Sequence, residues 1–220
     1  MSAALAPLEA PSVVEVADAE AFRAAAAATT AQMADLQAFA GILADWNQRM
    51  NLVGPSAMEQ FWPRHAWDSA QLLRHAPDAR TWADLGAGAG FPGLVLAILL
   101  KRVPGAHVHL VESMAKRCRF LSEVVKTLDL PASVHNARAE DLDLTVDIVT
   151  ARACAPLPRL LGYARPYLKR GATAMFLKGQ DVVAELDEAT KSWKFQSHLR
   201  PSLSSPLSHI LVVEGAVRER

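Results

Sequence analysis

The chain has little that would staple it, anchor it in a lipid phase or pull it as a whole toward a polyanion. Only two cysteines, Cys118 and Cys154, occur in 220 residues. They lie far apart with no Cys-x-x-Cys or Cys/His spacing, which argues against a disulfide scaffold and against a metal site. Reduced thiols in a cytoplasmic protein are the expectation. The longest strongly apolar run, Leu94 to Leu100, is far shorter than the ~20 residues that span a bilayer. Glu9, Glu15, Asp18 and Glu20 all precede the first cation, Arg23, so the basic start of a secretory leader is missing too. No membrane contact and no export are expected. Net charge is also absent, because 23 Lys and Arg meet 23 Asp and Glu. Any contact with nucleic acid must therefore come from a local basic patch.

What is present is an ordinary globular composition, 51% hydrophobic and 21% charged, enough to bury a core. The length fits one domain with an appendage. Residues 1 to about 20 mix Ala, Pro and acids without a period and read as an unordered tail, extending to residue 30 at most. Residues 31–76 read as an N-terminal helical cap. Leu36, Phe39, Ala40, Leu43, Trp46 and Met50 recur at helical intervals, and a second helix is expected over Ala57 to Leu73, interrupted near Pro63. Residues 77–220 alternate short β-like runs with helical stretches, the pattern of a parallel α/β sheet. Strands are expected at Thr81–Leu85, Ala106–Glu112, Ser133–Ala137, Asp147–Ala151 and Ala172–Leu177, with helices near Gly93–Arg102, Ala115–Asp129 and Pro156–Leu168. Lys194–Leu199 and Ser208–Glu214 read as a terminal antiparallel hairpin.

The most informative segment, Asp84-Leu-Gly-Ala-Gly-Ala-Gly-Phe-Pro-Gly93, joins an expected strand to an apolar helix. Gly86, Gly88 and Gly90 let the backbone turn sharply and approach a ligand, and the helix that follows offers free N–H groups. Such loops bind NAD, FAD or S-adenosylmethionine. A dinucleotide fingerprint spaces its glycines G-x-G-x-x-G, whereas here the third falls at Gly90 with Phe91 where the dinucleotide glycine belongs. Asp84, two places before the first glycine, fits a methyltransferase instead. Glu112 ends the second strand, where a carboxylate can accept both ribose hydroxyls of an adenosine, of NAD as well as of S-adenosylmethionine. Glu140, with the backbone of Ala139, is placed to line an adenine pocket, although such an acid alone more often caps a helix.

With these residues in view, the chain resembles the RsmG (GidB) family of 16S ribosomal RNA guanine-N7 methyltransferases. Its motifs stand in order: Trp46-Asn47 with Asn51-Leu52; His65-Ala-Trp-Asp68-Ser69; the loop ending Gly90-Phe91-Pro92-Gly93; Leu110-Val-Glu112-Ser113; Lys116-Arg117 with Phe120-Leu121. Then follow Arg138-Ala139-Glu140, Thr150-Ala151-Arg152-Ala153, Lys178-Gly179 and His209-Ile-Leu-Val-Val213. The resemblance runs from Leu43 to the end. It implies a Rossmann-like class I methyltransferase fold, a mostly parallel seven-stranded sheet with helices on both faces. It also implies S-adenosylmethionine held by Gly86, Phe91, Ala139, Glu140 and Arg152, and a substrate in 16S rRNA of the 30S subunit or an assembly intermediate. A monomer is the default for a site completed within one chain.

Guanine N7 carries an in-plane lone pair and no proton, so its methylation needs positioning more than a base. In keeping with this, the Asn/Asp-Pro-Pro-Tyr/Phe signature of amino-group methylases is absent, and Cys154 lacks the Pro-Cys setting of a thiolate nucleophile. Arg152, His65 and Asp68 are the candidate active-site side chains. Arg152 follows the fourth expected strand and is a candidate to steady cofactor or base, with an ion pair to Asp84 as the alternative. His65 and Asp68 share a helix face and either bond one another or reach the site's mouth. Lys116, Arg117 and Arg119 cluster at a helix start, where cations oppose the macrodipole; they are candidate phosphate contacts or a solvated helix face. Open alternatives are a methyltransferase for a small molecule or protein, a nicotinamide-dependent oxidoreductase and a non-catalytic nucleotide-binding regulator.

Overall fold

A computed structural model describes residues 13–218; the first part of the expected tail lies outside them. A single seven-stranded sheet, in the order β3-β2-β1-β4-β5-β7-β6, forms the centre. Its strands are β1 Thr81–Leu85, β2 His107–Glu112, β3 Ala132–Asn136, β4 Ile148–Arg152, β5 Thr173–Lys178, β6 Trp193–Pro201 and β7 His209–Arg218. The first five pair in parallel, while β7 runs antiparallel to β5 and to β6. The order reverses between β1 and β4, so their carboxyl ends open the crevice in which open α/β sheets bind ligands.

Two apolar clusters cover the two faces. One joins Trp82, Val108 and Leu110 to helices α5 Gly93–Leu100 and α6 Ala115–Thr127. The other joins Ala83, Val149 and Phe176 to α7 Leu157–Leu168 and reaches α8 Val182–Thr190. The adjacent β1 residues Trp82 and Ala83 serve opposite clusters because side chains alternate across a strand. All residues of α5 are buried, which is why that stretch is apolar all round rather than on one stripe.

The N-terminal helices belong to the first cluster. In α2 Thr30–Met50, Met33, Leu36, Phe39 and Leu43 form the buried stripe. Thr29 starts the helix with a capping box, its Oγ1 accepting from the Gln32 amide and the Gln32 Oε1 accepting from the Thr29 amide. Phe39 packs on Phe61 and Phe91 at ring-centroid distances of 5.6 and 5.3 Å, so the cap is welded to the glycine loop. The expected tail ends earlier than residue 30. α1 Ala19–Ala25 is capped by Asp18 and buries Phe22 completely, its ring 5.4 Å from that of Trp62. A helix built mainly of alanine shows almost no apolar period, so only the tertiary contact reveals it.

The expected second cap helix is broken into turns: a π turn Phe61–Ala66, then α3 Trp67–Ala70 and α4 Leu72–His75. Pro63 has no N–H to donate, and the amides of both Arg64 and His65 converge on the Gln60 carbonyl, at 3.1 and 3.0 Å. Helix α8 had no counterpart in the sequence reading.

Candidate active site

The glycine loop is held from both sides. The amides of Gly86 and Ala87 donate to the Val111 carbonyl at 2.9 and 3.0 Å, and the Gly88 amide donates to Glu112 Oε2 at 3.1 Å. Gly86, Gly88 and Gly90 have φ of 70°, 53° and 91°, a region that costs a side chain strain. Asp84 is 1% exposed. Its Oδ2 accepts from the Gly93 amide at 2.9 Å and its Oδ1 from Thr150 Oγ1 at 3.1 Å, tying the loop's end and β4 to β1. Burial pushes the Asp84 carboxyl up to about 7, opposed by those two hydrogen bonds and by Arg152. Asp84 is thus the frame of the loop rather than part of its surface.

Two cavities meet at Gly86, Ala153 and Cys154. The smaller, about 250 Å³, is lined by Glu112, Met114, Ala139 and Glu140. The larger, about 970 Å³, is lined by the loop, Phe91, His65, Asp68 and Arg152, and also by Lys178 and His209. Arg152, at the end of β4, donates to His65 Nδ1 at 2.5 Å. Its guanidinium lies 4.9 Å from the centre of the Phe91 ring, on which the His65 ring also packs. Burial, then the charges of Arg152 and Arg64, lower the His65 pKa to about 3, so the imidazole is neutral and accepts through Nδ1.

Two sequence alternatives fall here. His65 and Asp68 share no hydrogen bond. Asp68 Oδ1 accepts instead from Ser204, and from Gln71 and Ser202 at 3.4 and 3.5 Å. Burial raises the Asp68 pKa against these bonds and against Arg152. Nor do Arg152 and Asp84 form an ion pair; both Asp68 and Asp84 favour the charged form of Arg152 against its burial without direct contact.

A family model described as rRNA small subunit methyltransferase G matches residues 32–209, a span that contains every residue just placed. The chain belongs to that family. Two relatives named ribosomal RNA small subunit methyltransferase G illustrate the range of similarity within it. The one from Caulobacter sp. (strain K31) is 64% identical over 98% of this chain and 97% of its own length. The one from Bradyrhizobium sp. (strain BTAi1 / ATCC BAA-1182) is 48% identical over 81% of this chain and 82% of its own. Among solved structures, a SAM-dependent methyltransferase from Aquifex aeolicus is similar at TM-score 0.54 and 16% identity, covering 75% of this chain and 96% of its own. A mutant of MtNAS in complex with S-adenosylmethionine is similar at TM-score 0.50 and 17% identity, covering 89% and 77%. At those identities the likeness speaks for the fold, a Rossmann-like class I methyltransferase sheet.

The residues of the smaller cavity fit an adenosine. Glu112 uses one lone pair of Oε1 for the Met114 amide at 2.8 Å and one of Oε2 for Gly88, and each oxygen keeps another. Gly86 leaves no room for a side chain beside the shared wall, since a Cβ there would stand 2.7 Å from Cys154 Sγ. At Gly88 a Cβ would meet only the Gly86 carbonyl, at 3.6 Å, so its missing side chain leaves the loop open toward the larger cavity. Ala139 is fixed by Tyr167, whose hydroxyl donates to its carbonyl at 3.0 Å; Glu140 is exposed at the rim. Cys154 is half-buried, and burial followed by Asp84 and Glu112 pushes its thiol pKa up, away from nucleophile chemistry.

The α6 cations do not act alike. Arg117 turns back to Glu112, 3.6 Å from Oε2, and lines both cavities, whereas Lys116 and Arg119 are exposed and take part in no ion pair among the described residues. The sequence pattern alone assigns no role to Lys178, which stands in the Lys178-Gly179 motif, nor to Glu185 and Thr150. Among the described residues no group of three or more His, Cys, Asp or Glu is arranged for a metal ion.

Proposed function

We propose that this chain transfers the methyl group of S-adenosylmethionine to guanine N7 in 16S ribosomal RNA of the small subunit. Membership of the rRNA small subunit methyltransferase G family, through a match that spans the whole site, carries the reading and sets aside the oxidoreductase and regulator alternatives. When bound, the cofactor supplies a methyl group activated on a sulfonium. Glu112 would take its ribose hydroxyls, Ala139 and Glu140 its adenine edge, and the loop from Gly86 to Phe91, with Arg152, its remaining polar part.

Transfer of that methyl group to N7 would use the base's own lone pair and release no proton, so the side chains of the site would have to hold and orient rather than act as a base. His65 is suited to this chemistry because it is neutral and engaged through Nδ1, so it orients Arg152 instead of removing a proton. Asp68, anchored through Ser204 to the segment before β7, holds a compensating charge near Arg152. Alignment of nucleophile and methyl group within such a wall is worth ~7–11 kcal/mol of barrier on effective-molarity grounds.

Lys116 and Arg119, with Arg117 behind them, supply phosphate contacts to a 30S particle or its assembly intermediate. A cytoplasmic monomer is the working unit. No helix among the described residues is long and apolar enough to cross a membrane. Incubation with methyl-labelled S-adenosylmethionine and, in parallel, 30S particles, naked 16S RNA, protein extracts and small-molecule extracts tests the substrate class. Label entering small-subunit RNA is expected; label entering only protein or small molecules overturns the assignment.

A further inference from the structure

Lys178 closes β5 at the carboxyl edge of the sheet and stands directly opposite His209 of β7 in the antiparallel register. Its side chain is 9% exposed, and Nζ donates to Glu185 Oε2 at 2.7 Å and to the Ala155 carbonyl at 3.2 Å. Glu185 Oε2 also accepts from the Leu157 amide at 2.6 Å. The lysine is therefore held rigidly over the loop that follows β4. An ammonium group has three donors, and two have protein acceptors here.

No acceptor for the third is found among the described residues, and Lys178 lines the larger cavity. The smaller cavity, with Glu112 and Ala139, suits the nucleoside of the methyl donor. It joins the larger one at Gly86, Ala153 and Cys154, so a donor whose nucleoside filled the smaller cavity would present its reactive end toward that junction, with the larger cavity left for the acceptor base. Lys178 and His209 both line that cavity.

Resting on the function proposed above, we propose that Lys178 donates its third hydrogen bond to O6 of the purine being methylated, and so selects guanine over adenine. In guanine the neighbour of N7 on the major-groove edge is the acceptor O6; in adenine it is the N6 amino donor. A fixed ammonium facing an amino group would leave two buried donors unpaired, which is strongly unfavourable. A bond to O6 leaves the N7 lone pair free to attack. Lys178 is thus a specificity-determining contact for the base.

The test uses 30S particles carrying either guanine or adenine at the methylated position, with wild-type protein, Lys178→Met and Glu185→Gln. Wild-type protein is expected to methylate guanine and reject adenine. Lys178→Met is expected to lower kcat/KM on guanine by on the order of ten- to hundredfold, to shrink the guanine-to-adenine ratio, and to leave S-adenosylmethionine affinity by calorimetry unchanged. Glu185→Gln, which loosens the tether but keeps the ammonium, is expected to keep base preference. Unchanged preference in Lys178→Met, or equal loss of preference in Glu185→Gln, overturns the proposal and makes Lys178 a tether for the loop. Failure of wild-type protein to methylate guanine at all, despite bound cofactor, overturns the underlying function as well and is read directly in the control.

Discussion

Arg152 and His65 are joined by a single hydrogen bond of 2.5 Å, from guanidinium to Nδ1, across the seam between the sheet and the N-terminal helices. The bond fixes the tautomer of His65 and gives the guanidinium an acceptor that carries no charge. It also makes the helical cap a structural part of the wall of the larger cavity.

One consequence is a specific pH signature. The folded pKa of His65, about 3, lies below the ordinary imidazole value of 6.5. As pH falls below about 6.5 the unfolded chain takes up a proton that the folded chain refuses, so stability drops through that window and the loss continues toward about 3. Above pH 6.5 His65 contributes no pH dependence. Urea unfolding of wild-type protein and His65→Gln between pH 7.5 and 4.5 checks this. The stability gap is expected to shift in favour of the variant as the solution is acidified, and a gap independent of pH would mean that His65 titrates normally.

Two glycine-to-alanine changes should act in opposite directions. At Gly93 a Cβ would lie 2.3 Å from Leu110 Cδ2, 2.7 Å from Asp84 Oδ2 and 2.9 Å from Asp84 Cβ. Gly93→Ala is expected to cost ~1–3 kcal/mol of stability and to weaken S-adenosylmethionine binding by displacing the carboxylate that anchors the loop. Gly41, inside α2, has nothing within 4 Å of the same construction. Gly41→Ala is expected to stabilise by ~0.5–1 kcal/mol with cofactor affinity unchanged. Denaturant midpoints and calorimetric titration measure both.

How far these features were legible in sequence varies for physical reasons. The strand-to-glycine-to-helix passage from Thr81 to Leu100 was legible because backbone demands and burial are written locally, in residue type and spacing. The Glu112 position was legible because it ends a strand adjacent to that loop. The partners of Arg152 and Asp68 were not: His65 lies far in sequence from Arg152, Ser202 and Ser204 lie far from Asp68, and helix-face geometry leaves open whether His65 and Asp68 bond one another or reach the site's mouth. Helix α8 is not legible in sequence because its buried residues are only Val182 and Ala189, too few to mark a stripe. The three cations of α6 read as one cluster, but the strand carrying Glu112 lies beside only one of them.

That difference within α6 has its own test. Charge reversal at Lys116 and Arg119 is expected to weaken binding to 30S particles and flatten its salt dependence while S-adenosylmethionine affinity is retained. Arg117→Glu is expected to lower both affinities, because a second carboxylate would face Glu112. Filter binding at several salt concentrations, with parallel calorimetry, separates the two; an unchanged salt slope in the double variant would remove these side chains from the RNA contact.

The most direct test of the central claim is to supply labelled S-adenosylmethionine to the protein with 30S particles from a strain lacking this modification, then digest the RNA and identify the labelled nucleoside. The expected result is 7-methylguanosine at a single position of the small-subunit RNA. Label in any other nucleoside, or none in RNA while the cofactor is demonstrably bound, would contradict the account.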